Sequence, residues 1–323
     1  MKKFFLFSLL SFILGMNSAF AQNILVANLC HNGTVTNFYG IDALKNAHEA
    51  AEHGDTITLS VGNFNTYQFG ITKAITIYGA GMNLNADGQG TSFSDDLRIE
   101  ITDEVNIPFY MEGIYTTKRW YINKAPKNSI ISKCQMNGIR FNDEITCMHC
   151  RILSYLDGDA QKILYNCFLS QNTSNVSNIL MYNCIMTITY GDRVSNGCIY
   201  NCIICPYANS PFSSTNTMYN NVAIGGPDDV YRDITAGGSN SKSTYAEIFK
   251  TFTGEYSDTE TFELTDAAKT TYLGIDGTQV GLYGSVTPYD TTPTIPLITS
   301  YQVAAKAANG KVSVNVEING GED

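Results

Sequence analysis

Ionisable residues that could carry acid–base chemistry lie in two short stretches near the middle of the chain. Arg140 precedes "FNDE", and the stretch "YLDGDAQK" contains Asp157, Asp159 and Lys162. The two aspartates could bind a calcium ion, and Lys162 or Arg140 could act as the base that removes a proton. A cluster of this composition is more often a solvated loop. These four residues are therefore weak catalytic candidates, and calcium is a weak cofactor candidate.

The nine cysteines are the second group that could do chemistry. Cys147-x-x-Cys150 flanks His149, a spacing that zinc sites also use. Nine is an odd number, so not all of them can pair in disulfides within one chain. Several recur at a nearly fixed interval, which favours a buried ladder of free thiols. A disulfide between some pair and a metal site remain alternatives.

The interval belongs to a repeat, seen in "LYNCFL", "MYNCIM", "IYNCII" and "MYNNVA". The repeat markers are Cys134, Cys150, Cys167, Cys184, Cys202 and Asn221, which lie 16 to 19 residues apart. Residues three before and two after each marker are apolar throughout, and the residue just before it is Asn in four of six units. Asn tolerates the left-handed backbone region, so each unit predicts a strand, a tight turn and a strand. Units that bury a face only by stacking form a solenoid.

Two more columns of the repeat are expected to face outward. Two positions before the marker, the later units carry Tyr165, Tyr182, Tyr200 and Tyr219, and one position after it they are apolar. Stacked tyrosines could bind sugar rings, or could simply stabilise neighbouring strands. An exposed apolar stripe needs a cover or a partner. The tyrosine column is therefore the candidate ligand-binding site.

A helix and short strands are predicted upstream of the repeat. In "YGIDALKNAHEAAEHGD" the buried face of the helix is predicted to hold Ile41, Leu44, Ala47, His48 and Ala51, with Gly54 as the stop. In "TITLS" and "ITIYG" the side chains then alternate between the two faces of a strand. Ile57 and Leu59 share one face, and so do Ile75 and Ile77. We expect the helix to cap the open end of the strand stack.

This region resembles the first turns of right-handed parallel β-helix proteins of the pectin-lyase-like superfamily. The resemblance is carried by Gly54, Asp55, Ile57, Gly62, Phe64, Gly79 and Gly81. "FELTDAAKTTYLGIDGTQVGLYG" similarly resembles the closing coil of such proteins. The resemblance implies the right-handed parallel β-helix fold. Enzymes of that superfamily include polysaccharide lyases, often with a carboxylate-bound calcium ion, and hydrolases with paired carboxylates, but the Arg-x-x-Arg of pectate lyases is absent from this sequence.

Residues 1–21 have the features of a bacterial signal peptide. Lys2 and Lys3 precede an apolar run, and Ala19 and Ala21 form a cleavage site, so the mature chain is predicted to begin at Gln22 and to be exported to the periplasm, the outer surface or the medium. No later segment reaches transmembrane length. A net charge of −10 without a basic cluster argues against a nucleic-acid partner.

The domain organisation follows from these features. Residues 22–285 are predicted to form the β-helix, and residues 286–323 a proline-rich linker, "PYDTTPTIP", with two strands joined at Asn309-Gly310. We expect this tail to pack on the β-helix, over the apolar column. The "DTT" at Asp290 is a weak O-glycosylation motif.

The sequence thus predicts an all-β, right-handed parallel β-helix with an N-terminal capping helix and a short β-tail. Two functions fit it. The first is an exported, non-catalytic glycan-binding or scaffold protein of the cell envelope, and the alternative is a polysaccharide lyase or glycoside hydrolase. An enzyme requires convergent ionisable groups in one groove, whereas a binding protein requires only an aromatic and amide surface.

Overall fold

A computed structural model describes residues 25–83, 90–171, 176–188, 194–206, 212–225, 231, 234, 236–295, 297–303 and 314–319. Within these ranges the chain forms a parallel β-solenoid, as the repeat predicts. The predicted signal peptide and the Asn309-Gly310 turn lie outside the described residues.

Sheet A runs along the solenoid and contains twelve strands. In spatial order they are β2 (Thr34–Tyr39), β1 (Val26–His31), β3 (Thr56–Leu59), β6 (Thr76–Tyr78), β9 (Tyr110–Glu112), β12 (Ile130–Ser132), β14 (Ile145–Met148), β16 (Lys162–Tyr165), β19 (Ile179–Tyr182), β22 (Cys198–Tyr200), β24 (Thr217–Tyr219) and β26 (Ala236–Gly238). Only the pairings of β1, with β2 and with β3, are antiparallel among the described strands of this sheet. From β3 onward, neighbouring strands therefore belong to successive coils.

Sheet B contains thirteen strands, all of them parallel. Its main row is β4 (Gly62–Phe64), β7 (Thr91–Phe93), β10 (Ile114–Tyr115), β13 (Gln135–Phe141), β15 (Arg151–Asp157), β17 (Phe168–Gln171), β20 (Ile185–Ile188), β23 (Ile203–Pro206), β25 (Val222–Ile224) and β27 (Ser241–Ser243). Three further strands, β5 (Gly70–Ile71), β8 (Leu97–Glu100) and β11 (Arg119–Lys124), extend sideways from the second half of β13. The early coils therefore carry strand structure on an additional side.

Two small sheets complete the strand inventory of the described residues. β18 (Val176–Ser177) and β21 (Val194–Ser195) pair in parallel. β28 (Leu297–Val303) and β29 (Val314–Asn319) pair antiparallel, so the two tail strands predicted from the sequence are confirmed.

The repeat columns form the core, as predicted. All six markers are buried, together with the apolar residues two after and three before each of them. The turn residues Asn166, Asn183, Asn201 and Asn220 have φ between 47° and 56°, in the left-handed region that Asn tolerates better than most residues. Each coil is therefore a strand, a left-handed turn and a strand.

Helix α1 (Ala43–Ala50) packs against the first strands and joins the same core. Leu44, Ala47 and His48 are buried as predicted, but Ile41 precedes the helix and is 61% exposed. The side chain of Ile41 lies outside because the helix begins two residues later than the pattern suggested.

The outer apolar column is covered by residues that precede the predicted tail. After β27 the chain forms α2 (Tyr245–Ile248) and α3 (Asp266–Thr271); we call residues 245–271 the cover and residues 272–295 the strap. Phe168, in the outer column, stacks on Phe262 of the cover with ring centroids 4.5 Å apart. Strap residues Val280, Leu282 and Tyr289 join the same apolar cluster. Aromatic side chains upstream of the predicted tail therefore bury much of this column, and Tyr289 of the tail takes part as well.

The stretch that resembles a closing coil has another role. Residues 262–284 form α3 and much of the strap, and the last coil of the stack ends with β27 instead. The strap then runs back along the solenoid toward its N-terminal coils.

Candidate functional site

The column of left-handed turns binds the strap. The Asn166 side-chain amide donates to the carbonyl oxygens of Leu282, at 2.7 Å, and Gly284, at 3.0 Å. Asn201 accepts from the Ile275 amide at 2.9 Å, and the Asn220 side chain donates to a strap carbonyl in the same way. Asn in this column therefore has two roles: it forms the left-handed turn, and its side chain hydrogen-bonds backbone groups of the strap.

Polar residues hold the end of the strap on the earlier coils. The Lys133 ammonium lies 3.0 Å from an Asp290 carboxylate oxygen and donates to the Thr292 carbonyl at 2.7 Å. The buried carboxylate of Glu112 accepts from the Thr294 amide at 2.6 Å and from the Thr294 hydroxyl at 2.9 Å. The residues predicted to form a linker are thus fixed along the solenoid.

A cleft of about 530 Å³ lies between the tyrosine column and the strap; we call it the tyrosine groove. One wall consists of Met148, Tyr165, Tyr182 and Tyr200 with the turn asparagines between them, and the other consists of Ile275, Asp276, Ser285 and Thr287. The groove has the size of a small-molecule site and combines apolar rings with a few polar groups. Tyr219 continues the ladder beyond the groove and is 37% exposed.

The four tyrosine rings form one continuous stack. The centroids of successive rings are 5.4, 4.8 and 6.0 Å apart, and the ring planes differ by only 4° to 10°. Each interior ring is therefore covered on both faces by its neighbours and offers its edge and hydroxyl to the groove. Aromatic edges carry partial positive charge, which favours contact with ligand oxygens. The stack also stabilises the coils, as the alternative interpretation of this column holds.

The hydroxyls of Tyr182 and Tyr200 are neutral donors at physiological pH. Burial is the main cause that raises the pKa of Tyr182, and the neighbouring Tyr200 raises it further. Burial and the nearby Cys198 raise the pKa of Tyr200. One amide in the wall is unsatisfied, since Nδ2 of the buried Asn183 has no hydrogen-bond partner among the described residues. This donor packs close to Gly284 of the strap.

The four weak catalytic candidates are only partly brought together. Arg140 and Asp157 form an exposed pair with nitrogen and oxygen 3.7 Å apart. The Lys162 ammonium is buried and donates to the carbonyl oxygens of Gly158, Ala160 and Ser177, and burial lowers its pKa. The carbonyl oxygen of Asp159 accepts from Asn178. All three N–H groups of Lys162 are thus directed at backbone carbonyls, two in the loop between β15 and β16 and one in β18, an arrangement that fixes this loop to the next coil.

The cysteines form the predicted ladder, and all nine are free thiols. The amide of Cys150 points at the sulfur of Cys167, that of Cys167 at the sulfur of Cys184, and that of Cys184 at the sulfur of Cys202, at 3.3 to 3.4 Å. Asn221 continues the series by accepting from the Cys202 amide at 2.9 Å. Within the described ranges, no group of three or more His, Cys, Asp or Glu side chains is arranged to hold a metal ion.

A second cleft, which sequence reasoning missed, opens where the outer column turns polar. This arginine cleft, of about 360 Å³, is lined by Arg151 of β15, by Asp258 and Glu260 of the cover, and by Tyr289 and Asp290 of the strap, among others. One sequence feature could have indicated this cleft. The position just after the repeat marker is polar in two early units, at Gln135 and Arg151, and apolar in the later ones. The contribution of the cover and strap residues to the cleft could not be predicted, because their sequence does not share the period of the repeat.

No protein-family model, curated protein or solved structure matches this chain. The assignment of the parallel β-solenoid therefore rests on the observed strand pairing alone. Among the described residues, no helix is both long enough and apolar enough to span a membrane.

Proposed function

We propose that this chain is an exported, non-catalytic glycan-binding protein of the cell envelope, with the tyrosine groove as its binding site. The observation that carries the proposal is a cleft of about 530 Å³ with stacked tyrosines on one wall and the strap on the other. A sugar presents both apolar C–H groups and hydroxyls. Ring edges, phenolic hydroxyls and asparagine amides can contact both kinds of group.

The direction of the groove favours an extended ligand. Its tyrosine wall takes one residue from each successive coil, and the strap runs alongside across the same coils. Strands of successive coils lie about 4.8 Å apart, so the groove offers similar groups at a regular interval. A glycan chain lying along the solenoid axis would meet the same set of donors at each coil.

A glycan array followed by tyrosine-selective NMR tests this proposal. We expect the mature chain to bind at least one glycan class and the ring signals of Tyr165, Tyr182 and Tyr200 to shift when that glycan is added. Tyr67, which is 59% exposed near the N-terminal end, is the internal reference and should not shift. The absence of any bound glycan, or shifts confined to rings outside the groove, would reject the proposal.

A polysaccharide-cleaving enzyme is the second candidate. The observation favouring it is that Arg151 and three carboxylates, those of Asp258, Glu260 and Asp290, line one cleft. Incubation with acidic and neutral polysaccharides distinguishes the two functions: a lyase would create unsaturated ends that absorb ultraviolet light, and a hydrolase would release reducing ends. We expect neither product.

Export is part of the proposal and has its own test. Expression of the full chain in a Gram-negative bacterium, followed by fractionation and N-terminal sequencing, should give an exported protein that starts at Gln22. Recovery in the cytoplasm with Met1 retained would contradict export.

A further inference from the structure

The arginine cleft contains a buried cation with unused hydrogen-bonding capacity. Arg151 is only 5% exposed, although it belongs to a column that faces away from the solenoid core, because the cover lies over it. Its Nε donates to the Tyr289 hydroxyl at 2.8 Å, and one Nη donates to the Asp258 carbonyl oxygen at 3.2 Å. Both acceptors are neutral. The Tyr256 hydroxyl is a third hydrogen-bond partner of the guanidinium. A guanidinium has five N–H groups, so two remain without an acceptor among the described residues.

Leaving a buried charged group short of acceptors is costly, so the site is suited to a ligand that supplies them. The guanidinium side of the cleft favours ligand oxygens. The cleft is also lined by Asp258, Glu260 and Asp290, whose carboxylates can only accept.

The carboxylates have partners but are not saturated. One Asp258 oxygen accepts from Gln135 at 3.1 Å and from the Tyr256 hydroxyl at 2.8 Å. One Glu260 oxygen accepts from Thr251 at 2.8 Å and from the Phe262 amide at 3.0 Å. Asp290 pairs with Lys133 and accepts from the Thr292 amide. Each ionised carboxylate offers about four lone-pair positions, so each retains capacity for a ligand donor. The rings of Tyr283 and Tyr289, which meet edge to face with centroids 6.0 Å apart, supply an apolar surface beside them.

The charges select the ligand class. Asp290 is already paired with Lys133, so the charges that face a ligand are mixed. An anion would be repelled by the Asp258 and Glu260 carboxylates, and a cation would be repelled by the buried guanidinium. A hydroxyl group avoids both problems, because it accepts from Arg151 with its oxygen and donates to a carboxylate with its hydrogen.

We propose that the arginine cleft binds a neutral sugar through adjacent hydroxyl groups that bridge Arg151 to the carboxylates of Asp258 and Glu260. The cleft, of about 360 Å³, can admit a sugar ring, and Tyr283 and Tyr289 would cover its apolar side. This site is separate from the tyrosine groove and does not depend on glycan binding there.

Saturation-transfer NMR and calorimetry with the methyl glycosides of glucose, galactose and mannose test the proposal on the mature chain. We expect at least one of them to bind saturably, and Glu260→Gln to weaken it about tenfold or more, because a hydrogen bond to a charged group is lost. The matched control is Glu263→Gln, which removes an exposed carboxylate of the same cover that pairs with Lys250 outside the cleft. Arg151→Gln should weaken the same binding, with thermal unfolding used to verify that the cover remains folded.

Three results would overturn the proposal. The first is that none of the three glycosides binds at millimolar concentration. The second is that binding survives Glu260→Gln unchanged, or disappears in Tyr182→Ala, which would place it in the tyrosine groove. The third is that galacturonate or inorganic phosphate binds more tightly than every neutral glycoside. If Arg151→Gln unfolds the cover, Glu260→Gln alone decides between these outcomes.

Discussion

The side-chain amide of Asn166 donates to the carbonyl oxygen of Leu282 at 2.7 Å, although 116 residues separate the two in the chain. Asn166 is also the left-handed turn residue of its coil, with φ of 47°. The residue type that the turn requires is thus the same one that fixes the strap. Together with the contacts of Asn201 and Asn220, this relationship positions the second wall of the tyrosine groove over the turns.

Replacing Asn166 should separate its two roles. We expect Asn166→Gly to keep the left-handed turn and lose the hydrogen bonds to Leu282 and Gly284, lowering the free energy of unfolding by about 1–3 kcal/mol. Asn166→Ala should cost more, because alanine also disfavours the positive φ. Urea unfolding measures both values. Equal stability of wild type and Asn166→Gly would show that the strap does not depend on this contact.

The cysteine ladder predicts selective thiol reactivity. Burial raises the pKa of the Cys184 thiol well above its usual range and that of Cys205 to about 12, so these groups are inaccessible and protonated at neutral pH. Native iodoacetamide labelling read by mass spectrometry should therefore modify only Cys30 and Cys198, the two half-buried cysteines. The denatured chain is the control and should label at all nine positions. Labelling of Cys167 or Cys184 in the native chain would contradict the buried ladder.

Acidification should destabilise the N-terminal end through His48. Its burial, assisted by Lys73, lowers the pKa of His48 from 6.5 to about 4, and its Nε2 lies 3.1 Å from the Thr72 amide as an acceptor. Because the folded pKa lies below the unfolded one, the unfolded chain binds more protons between these values. The stability contributed by neutral His48 is therefore complete above pH 6.5 and is lost as the pH falls toward 4, by up to about 3 kcal/mol.

Urea unfolding of wild type and His48→Gln at a series of pH values between 7 and 4 checks this expectation. The variant keeps a side-chain acceptor but cannot titrate, so its stability should vary less over that window. Parallel curves for the two proteins would show that His48 does not control the acid response.

The cover should detach when its aromatic contact with the solenoid is removed. Phe262 is buried and stacks on Phe168, so Phe262→Ala should cost about 3–5 kcal/mol. Hydrogen exchange should speed up mainly in residues 245–271, while the buried strands of sheet A stay protected. Phe262→Leu, which retains most of the apolar volume, is the control. Uniform loss of protection along the solenoid would instead make the cover part of one cooperative unit.

The sequence predicted the solenoid because its signal is local and repeated. A left-handed Asn166 and an inward Cys167 follow from a period of 16 to 19 residues and from the alternation of side chains in strands. The column also predicted which tyrosines are neighbours, but not that their rings would lie face to face with planes 4° to 10° apart. That arrangement depends on side-chain rotamers, which the spacing does not determine.

The cover, the strap and the arginine cleft could not be predicted in the same way. The contact between Phe168 and Phe262 joins residues far apart in the chain, and the aromatic residues of the cover stand among polar ones without a period. Arg151 looked like a polar residue on an outer face, and only the cover makes it a buried cation. Long-range packing therefore created both clefts.

The affinity of the mature chain for the glycan selected by the array, measured by calorimetry, tests glycan binding in the tyrosine groove most directly. The double variant Tyr182→Ala/Tyr200→Ala removes two adjacent rings of the wall, and Tyr67→Ala is the matched control on an exposed tyrosine. We predict that the double variant loses affinity at least about tenfold, since truncating a central aromatic contact commonly costs more than 1 kcal/mol. Tyr67→Ala should bind like wild type. Unchanged affinity in the folded double variant would contradict the groove as the binding site.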